Sequence, residues 1–123
     1  MRHLLLVAHG SRREESNREV RALADAIREI SSGQFAEVRC AFLELAEPAL
    51  TDALEALIAG GATDVVIVPY FLAAGRHVAR DIPETLAQAQ RRHPHVRFTT
   101  APYIGAAPQM RDLVRSLVES LFS

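Results

Sequence analysis

Four short apolar runs alternate with four amphipathic stretches along this chain. The runs occupy residues 3–8, 37–43, 64–70 and 96–101, and each has the length and composition of a strand. Residues 65–68 are all β-branched, which is typical of a strand buried on both faces of a parallel sheet. Parallel strands need a crossover between them, usually a helix. The alternation therefore predicts an α/β fold.

The stretches between the runs carry apolar residues at helical spacing. Ser11 and Glu14 stand at capping-box spacing before the first helix. This helix is predicted to end at residues 31–33. Pro48 is placed for the first turn of the second helix, and residues 60–61 end it. Residues 71–82 are predicted to be irregular, with Pro83 opening a third helix that carries Leu86 and Ala87. The apolar stripes of the other helices comprise Val20, Leu23, Ala24, Ile27 and Ile30, then Leu50, Ala53, Leu54, Leu57 and Ile58, and, after Pro108, Met110, Leu113, Val114, Leu117, Val118 and Leu121.

Four strand–helix units with right-handed crossovers predict a doubly wound parallel sheet covered on both faces. We expect the flavodoxin-like strand order 2-1-3-4. The 123 residues, of which 49% are hydrophobic, are enough for one domain over residues 1–123. Four strands are few for such a sheet, so pairing with a second copy is expected to complete its site.

Composition excludes several classes of function. The chain has no lysine and a net charge of −1, which disfavours nucleic-acid binding. The single cysteine, Cys40, has no partner for a disulfide or a metal site and is predicted to be a small buried residue. The apolar run at residues 4–8 is too short for a membrane span or a signal peptide. We therefore expect a cytoplasmic protein with no membrane partner.

Two histidines and one acidic residue follow the predicted strands. His9 comes directly after the first strand, Glu44 after the second, and His77 lies in the connection after the third. Ligands of open α/β sheets bind beyond the carboxyl ends of the strands, where the strand order reverses. Two imidazoles and a carboxylate hold a divalent transition metal with open coordination positions, and they accept protons near neutral pH. The sequence predicts metal handling coupled to proton removal.

Each of these residues also fits a structural role. His9 could hydrogen-bond its own loop, His77 could cap a helix, and Glu47 suits a helix N-terminus favoured by the dipole. Arginines such as Arg12 and Arg76 are solvated surface charges by default. The other histidines, His3, His93 and His95, are predicted to be structural or exposed.

Three segments, in this order, resemble the class II chelatases of the sirohydrochlorin type, in particular the small cobaltochelatase. They are LLLVAHGSR at residues 4–12, FLE at 42–44 followed by Pro48, and VPYFL at 68–72 with GRHV at 75–78 and DIP at 81–83. The resemblance implies a lyase of cobalamin or related tetrapyrrole biosynthesis that inserts Co²⁺, or in relatives Fe²⁺ or Ni²⁺, into sirohydrochlorin without ATP. It implies no tightly bound cofactor and a homodimer with the macrocycle at its interface.

The resemblance also implies roles for individual residues. His9 and His77 match the two functional histidines of the family, as catalytic groups and metal ligands, and Glu44 matches their acidic partner. Sirohydrochlorin is a polycarboxylate, and arginine pairs with carboxylates bidentately. The residues around both histidines are therefore expected to bind the substrate, namely Ser11, Arg12, Arg13, Arg76 and Arg80.

Two other functions compete with a chelatase. A histidine phosphatase also begins with an apolar strand that runs into His-Gly, but that resemblance would require an arginine where this chain has Ala8. A carrier of metal or tetrapyrrole would use the same cleft without turnover. Repeated metallation by each protein molecule distinguishes a chelatase from a carrier.

Overall fold

The computed structural model describes all 123 residues except the side chain of His77. Its centre is a four-stranded parallel sheet in the order β2-β1-β3-β4, which confirms the predicted topology. Leu6 of β1 lies opposite Cys40 on one side and Val68 on the other. The strands are β1 (Arg2–Ala8), β2 (Phe35–Phe42), β3 (Asp64–Pro69) and β4 (Arg97–Thr100), and the helices are α1 (Glu14–Ile30), α2 (Leu50–Ala59), α3 (Arg76–Arg92) and α4 (Gln109–Phe122), with a 3-10 turn at Ile104–Ala106 before α4.

Two apolar layers hold the helices on the sheet. Alternate residues of a strand point to opposite faces, so β1 contributes to both layers. The layer under α1 contains Leu4, Leu6, Val20, Ala24, Val38 and Phe42. The layer under α2 and α3 contains Leu5, Val7, Leu50, Leu54, Leu57, Val65, Ile67, Ile82, Leu86 and Ala89. The stripe predicted for α2 is confirmed, whereas Ile30, at the end of α1, is exposed.

The third helix begins about two turns earlier than predicted. It starts at Arg76, and Pro83 lies inside it rather than at its first turn. The buried stripe of α3 is Ile82, Leu86 and Ala89, while Ala87 is exposed. Pro83 removes one helical hydrogen bond, but it lies on the exposed side, so the helix keeps its buried stripe. The expectation of an irregular segment through residue 82 is wrong because packing of this stripe outweighs the effect of the proline.

Two predicted helix starts also differ from the structure. The N-cap of α1 is Arg13, so Ser11 and Glu14 do not form a capping box. The hydroxyl of Ser11 accepts a hydrogen bond from the Arg13 backbone N–H at 3.0 Å instead. Pro48 precedes α2, whose N-cap is Ala49. The Pro48 carbonyl accepts the Phe42 N–H at 2.9 Å, which ties this part of the loop to the end of β2, and α2 starts only after it.

The last helix, α4, differs from the others in packing. Every residue from 111 to 123 is exposed, and of the predicted apolar stripe only Met110 is half-buried. No helix in the described part of the chain is both long enough and apolar enough to cross a bilayer.

Candidate functional site

The carboxyl ends of β1 and β2 bring two predicted site residues together. Nε2 of His9 lies 3.1 Å from Oε1 of Glu44, and the two side chains are 48% and 52% exposed. Both residues follow neighbouring parallel strands, so their side chains emerge at the same edge of the sheet. The structure therefore forms the histidine–carboxylate pair that the sequence predicts.

Backbone hydrogen bonds continue the strand pairing into the two loops. The Leu43 N–H donates to the Ala8 carbonyl and the Glu44 N–H donates to the His9 carbonyl, both at 3.0 Å. Gly10 has a φ of 99°, and a β-carbon there would lie 1.7 Å from the Glu44 carbonyl oxygen. Only glycine permits this approach without strain. The His-Gly pair is thus what lets the two loops lie against each other.

Asn17, in the first turns of α1, holds the loop that follows His9. Its side-chain oxygen accepts the Ser11 N–H at 3.0 Å, and its amide nitrogen donates to the Ser11 carbonyl at 2.8 Å. The residue is only 2% exposed. Asn17 was not among the predicted site residues, although the sequence carries a signal for it: Asn17 is a polar residue in register with the buried Val20 and Ala24.

Arg21 ties α1 to the loop that follows β2. Its guanidinium donates to Oε1 of Glu14 at 2.6 Å and to the Glu47 carbonyl at 3.0 Å, and it lies 5.3 Å from the centre of the Phe42 ring. The hydrogen bond from Arg21 lowers the pKa of Glu14 below its usual value, so this carboxylate stays charged. Glu47 precedes α2 by three residues, and its backbone carbonyl is the group that contacts Arg21.

His77 lies in the first turn of α3, rather than in a loop. Its side chain is outside the described part of the structure, so the role predicted for its imidazole stays a prediction. The start of α3 follows β3, which pairs with β1, and it therefore lies at the same edge as His9.

All four arginines predicted to bind substrate are exposed. Arg12 and Arg13 lie between His9 and α1, and the Arg13 guanidinium is 3.8 Å from the carboxylate of Glu15. Arg76 and Arg80 lie in the first two turns of α3. Both pairs therefore flank the carboxyl edge of the sheet on either side of the histidine–carboxylate pair.

The donors at this edge suit a metal that is bound weakly and released. Among the side chains that the structure describes, no three histidine, cysteine or acidic groups are placed to hold a metal ion. His9 and Glu44 supply one imidazole nitrogen and carboxylate oxygens, a donor set that accepts first-row divalent metals. A site with two such donors keeps coordination positions open, which favours transfer of the metal over storage.

An apolar cleft of about 330 Å³ lies beside this edge, between the start of α3 and the loop after β4. Its walls include Phe71, Val78, Ile82, Pro102 and Tyr103. A larger cleft of about 470 Å³ lies at the opposite end of the sheet, next to residues 31–39, far from the histidine–carboxylate pair. We assign function to the carboxyl edge because ligands of such sheets bind there.

Residues 3–121 match the family model described as CbiX. The chain is 32% identical over 120 residues to the sirohydrochlorin cobaltochelatase of Sulfolobus acidocaldarius, covering 98% of this chain and 92% of that protein. It is also 32% identical over 120 residues to the chloroplastic sirohydrochlorin ferrochelatase of Arabidopsis thaliana, covering 98% of this chain and 52% of the plant protein.

Solved structures share the fold. The sirohydrochlorin chelatase SirB from Bacillus subtilis subspecies spizizenii, in complex with cobalt, superposes with a TM-score of 0.80 at 31% identity, over 97% of this chain and 50% of SirB. The CbiX protein from Marinobacter aquaeolei VT8 gives a TM-score of 0.79 at 28% identity, over 98% of this chain and 96% of that one. The chain thus spans about half the length of several relatives and nearly all of others.

Proposed function

This chain belongs to the CbiX family, and from that premise we propose that it is a sirohydrochlorin chelatase, a lyase that inserts a divalent metal ion into sirohydrochlorin without ATP. The observation that carries the proposal is the contact of 3.1 Å between His9 and Glu44 at the open carboxyl edge of the sheet. The pair combines a base and a metal ligand, which are the two functions that metal insertion requires.

We propose Co²⁺ as the metal substrate. Relatives include both cobaltochelatases and ferrochelatases, and imidazole and carboxylate donors accept Co²⁺, Fe²⁺ and Ni²⁺. The two relatives that this chain spans to 92%, from Sulfolobus acidocaldarius and Sulfurisphaera tokodaii, are both named cobaltochelatases. Three ferrochelatases that it matches, by contrast, are much longer than this chain.

The chemistry requires two protons to leave the pyrrole nitrogens as one divalent ion enters, so charge balances. With Nε2 of His9 facing Oε1 of Glu44 at 3.1 Å, the other ring nitrogen, Nδ1, is the one that we propose as base or metal ligand. Glu44 is proposed to orient the ring and to offset the positive charge that His9 carries once it has accepted a proton. We propose that His77 shares metal delivery and proton acceptance with His9, because its backbone lies at the same edge.

The four exposed arginines are proposed to bind the carboxylates of the macrocycle. Arg12→Ala and Arg76→Ala should raise the KM for sirohydrochlorin and change kcat little, because the contacts form in both ground and transition states. Arg91, which is exposed at the far end of α3, provides the matched control. An unchanged KM in both variants would contradict this role.

The activity is tested by following the visible spectrum of sirohydrochlorin with Co²⁺ and catalytic protein under anaerobic conditions. Wild type should metallate many equivalents, and His9→Ala, His77→Ala and Glu44→Gln should lose about 10²-fold or more of the rate, the scale of a general base. Glu47→Gln, a neighbouring exposed carboxylate, is the matched control. Product that stops at one equivalent would indicate a carrier, and a rate equal to the protein-free reaction would refute the chelatase proposal. Parallel runs with Fe²⁺ and Ni²⁺ test the choice of metal.

We further propose that residues 1–123 act as one chelatase domain and that two copies enclose the macrocycle. The histidine–carboxylate pair is about half exposed at an open edge, so one copy leaves a substrate uncovered on one side. SirB is twice as long as the matching part of this chain, and a pair of copies supplies the equivalent length.

A further inference from the structure

Leu45 has a backbone conformation that its residue type disfavours. Its φ is 65°, and it is the one non-glycine residue with a positive φ in the part of the chain that the structure describes. A left-handed backbone brings the β-carbon of an L-residue close to the following carbonyl oxygen, so a bulky side chain seldom occurs there. Such outliers persist where the surrounding structure imposes them, and they cluster at functional sites.

Hydrogen bonds on both sides of Leu45 hold the loop in this conformation. Before it, the Glu44 N–H donates to the His9 carbonyl at 3.0 Å. After it, the Pro48 carbonyl accepts the Phe42 N–H at 2.9 Å. The loop is therefore fixed at both ends, and Leu45 lies in the bend between them.

The side chain of Leu45 contributes little to the fold. Its neighbours Leu43 and Ala46 pack against the two core layers, whereas Leu45 is 55% exposed. Glycine would accept the same backbone without strain. At the residue after Glu44, the chain thus combines a disfavoured backbone with an exposed apolar side chain, and neither feature stabilises the chain itself. The side chain is placed for contact with a molecule bound at the site.

Exposed apolar side chains lie on both sides of His9. β1 lies between β2 and β3 in the sheet, so the loop after β1 has the loops after β2 and β3 as its neighbours. Leu45 follows β2, whereas Tyr70 and Leu72 follow β3 and are 38% and 72% exposed. The Tyr70 N–H donates to the Val7 carbonyl at 2.7 Å, which fixes this second loop to the end of β1. Apolar groups therefore flank the histidine–carboxylate pair from both neighbouring loops.

A flat, largely apolar ring system with carboxylates at its periphery matches this arrangement. Apolar side chains contact the face of such a ring, and the exposed arginines that flank the same edge are placed for the peripheral carboxylates. A ligand that covers exposed apolar surface releases the water around it, which favours binding. Exclusion of water also strengthens the attraction between a metal ion and its ligands during transfer.

We propose that Leu45 contacts the face of the bound macrocycle and holds it against His9. A residue without any polar group then positions the substrate for metal insertion, and the left-handed backbone presents its side chain at the open edge. The inference rests on the proposed function and adds a residue that contacts the substrate.

Kinetics with sirohydrochlorin and Co²⁺ test the contact by comparing Leu45→Ala with Leu45→Met. Alanine removes most of the side chain, whereas methionine keeps an apolar side chain of similar volume. Leu45→Ala should raise the KM for sirohydrochlorin about 3- to 10-fold, the effect of losing contact with about half of a leucine side chain, and Leu45→Met should restore it. Ile30→Ala, at a residue that is 87% exposed at the far end of α1, should leave KM unchanged. A wild-type KM in Leu45→Ala would overturn the inference.

Leu45→Gly tests the backbone in the same assay series. At an ordinary loop position glycine is less stabilising than alanine, because it leaves the unfolded chain more freedom. At a left-handed position the order is reversed. The urea midpoint of Leu45→Gly should therefore lie about 0.3–1 M above that of Leu45→Ala, while both variants show the raised KM. A lower midpoint for the glycine variant would overturn the inference, because the side chain would then not be presented by a left-handed backbone.

Titration of sirohydrochlorin in the absence of metal, followed by its absorbance, separates this inference from the proposed activity. Wild type that binds sirohydrochlorin more tightly than Leu45→Ala but does not metallate it would refute the chelatase proposal and support the contact. Wild type that metallates many equivalents, with KM and Kd unchanged in Leu45→Ala, would refute the contact alone. Wild type that does not bind sirohydrochlorin would overturn both.

Discussion

Replacing Gly10 with alanine should destabilise the protein by about 3–4 kcal/mol. A left-handed backbone costs an L-residue about 1–2 kcal/mol, and Gly10 has a φ of 99°. The added methyl group would lie 1.7 Å from the Glu44 carbonyl oxygen, so the loop after β2 must move. That movement breaks the hydrogen bonds from Leu43 to Ala8 and from Glu44 to His9, each worth about 1 kcal/mol.

Gly61→Ala is the matched control. Gly61 has a φ of 101°, and nothing lies within 4 Å of an added β-carbon. Gly61→Ala should therefore lower the free energy of unfolding only by the cost of a left-handed backbone, about 1–2 kcal/mol. The difference between the two variants isolates the contact between the loops that carry His9 and Glu44.

Urea denaturation followed by far-UV circular dichroism measures both values, at equal chain concentration because association shifts apparent stability. With a slope of about 1–3 kcal/mol/M, the midpoint of Gly10→Ala should fall by about 1–4 M. In water, where the variant is still folded, its metallation rate should fall at least tenfold because Glu44 is displaced from His9. A loss no larger than that of Gly61→Ala would refute the reasoning.

Three further predictions concern the supports of the site and the core. Asn17→Ala removes both hydrogen bonds to Ser11, leaves partly buried backbone groups unpaired and should cost about 2–3 kcal/mol in urea unfolding; an unchanged midpoint would contradict this. The hydrogen bond from Arg92 lowers the pKa of Glu55 below 4.5, so this carboxylate contributes stability above pH 4.5 that is lost as the pH falls through the lowered value. Glu55→Gln should therefore flatten the pH dependence of the urea midpoint below pH 5, and a parallel dependence would count against the ion pair. Leu57→Ala, at a side chain that is 2% exposed, should lower the free energy of unfolding by about 2–5 kcal/mol, and a loss under 1 kcal/mol would show that the core layer repacks.

The loops of the site show which of its features can be predicted from local sequence. His9 and Glu44 follow apolar runs directly, and parallel strands end at one edge, so their proximity follows from strand order alone. The supports of that pair do not follow in this way. Asn17 and Arg21 look like solvated helix residues in the sequence, and only the approach of the neighbouring loops gives them partners.

In the third helix, tertiary packing outweighs a local sequence signal. Pro83 is a strong local indicator of a helix start, yet α3 begins at Arg76. The stripe of Ile82, Leu86 and Ala89 buries enough apolar surface against the sheet to offset one missing hydrogen bond. That balance depends on contacts with α2 and the sheet, whose residues are distant from α3 in the sequence.

By itself, the sequence determined the α/β class, the strand order and the edge at which polar side chains meet, because alternation, apolar length and residues at strand ends are local properties. Only the tertiary structure decided the start of α3, the contact of Gly10 with Glu44 and the exposure of α4. The apolar stripe of α4 resembles that of a buried helix. Helical spacing of apolar residues predicts that one face of a helix is covered, but it does not say which surface covers it. Which surface covers an apolar face depends on long-range contacts, because it follows from how the rest of the chain is packed.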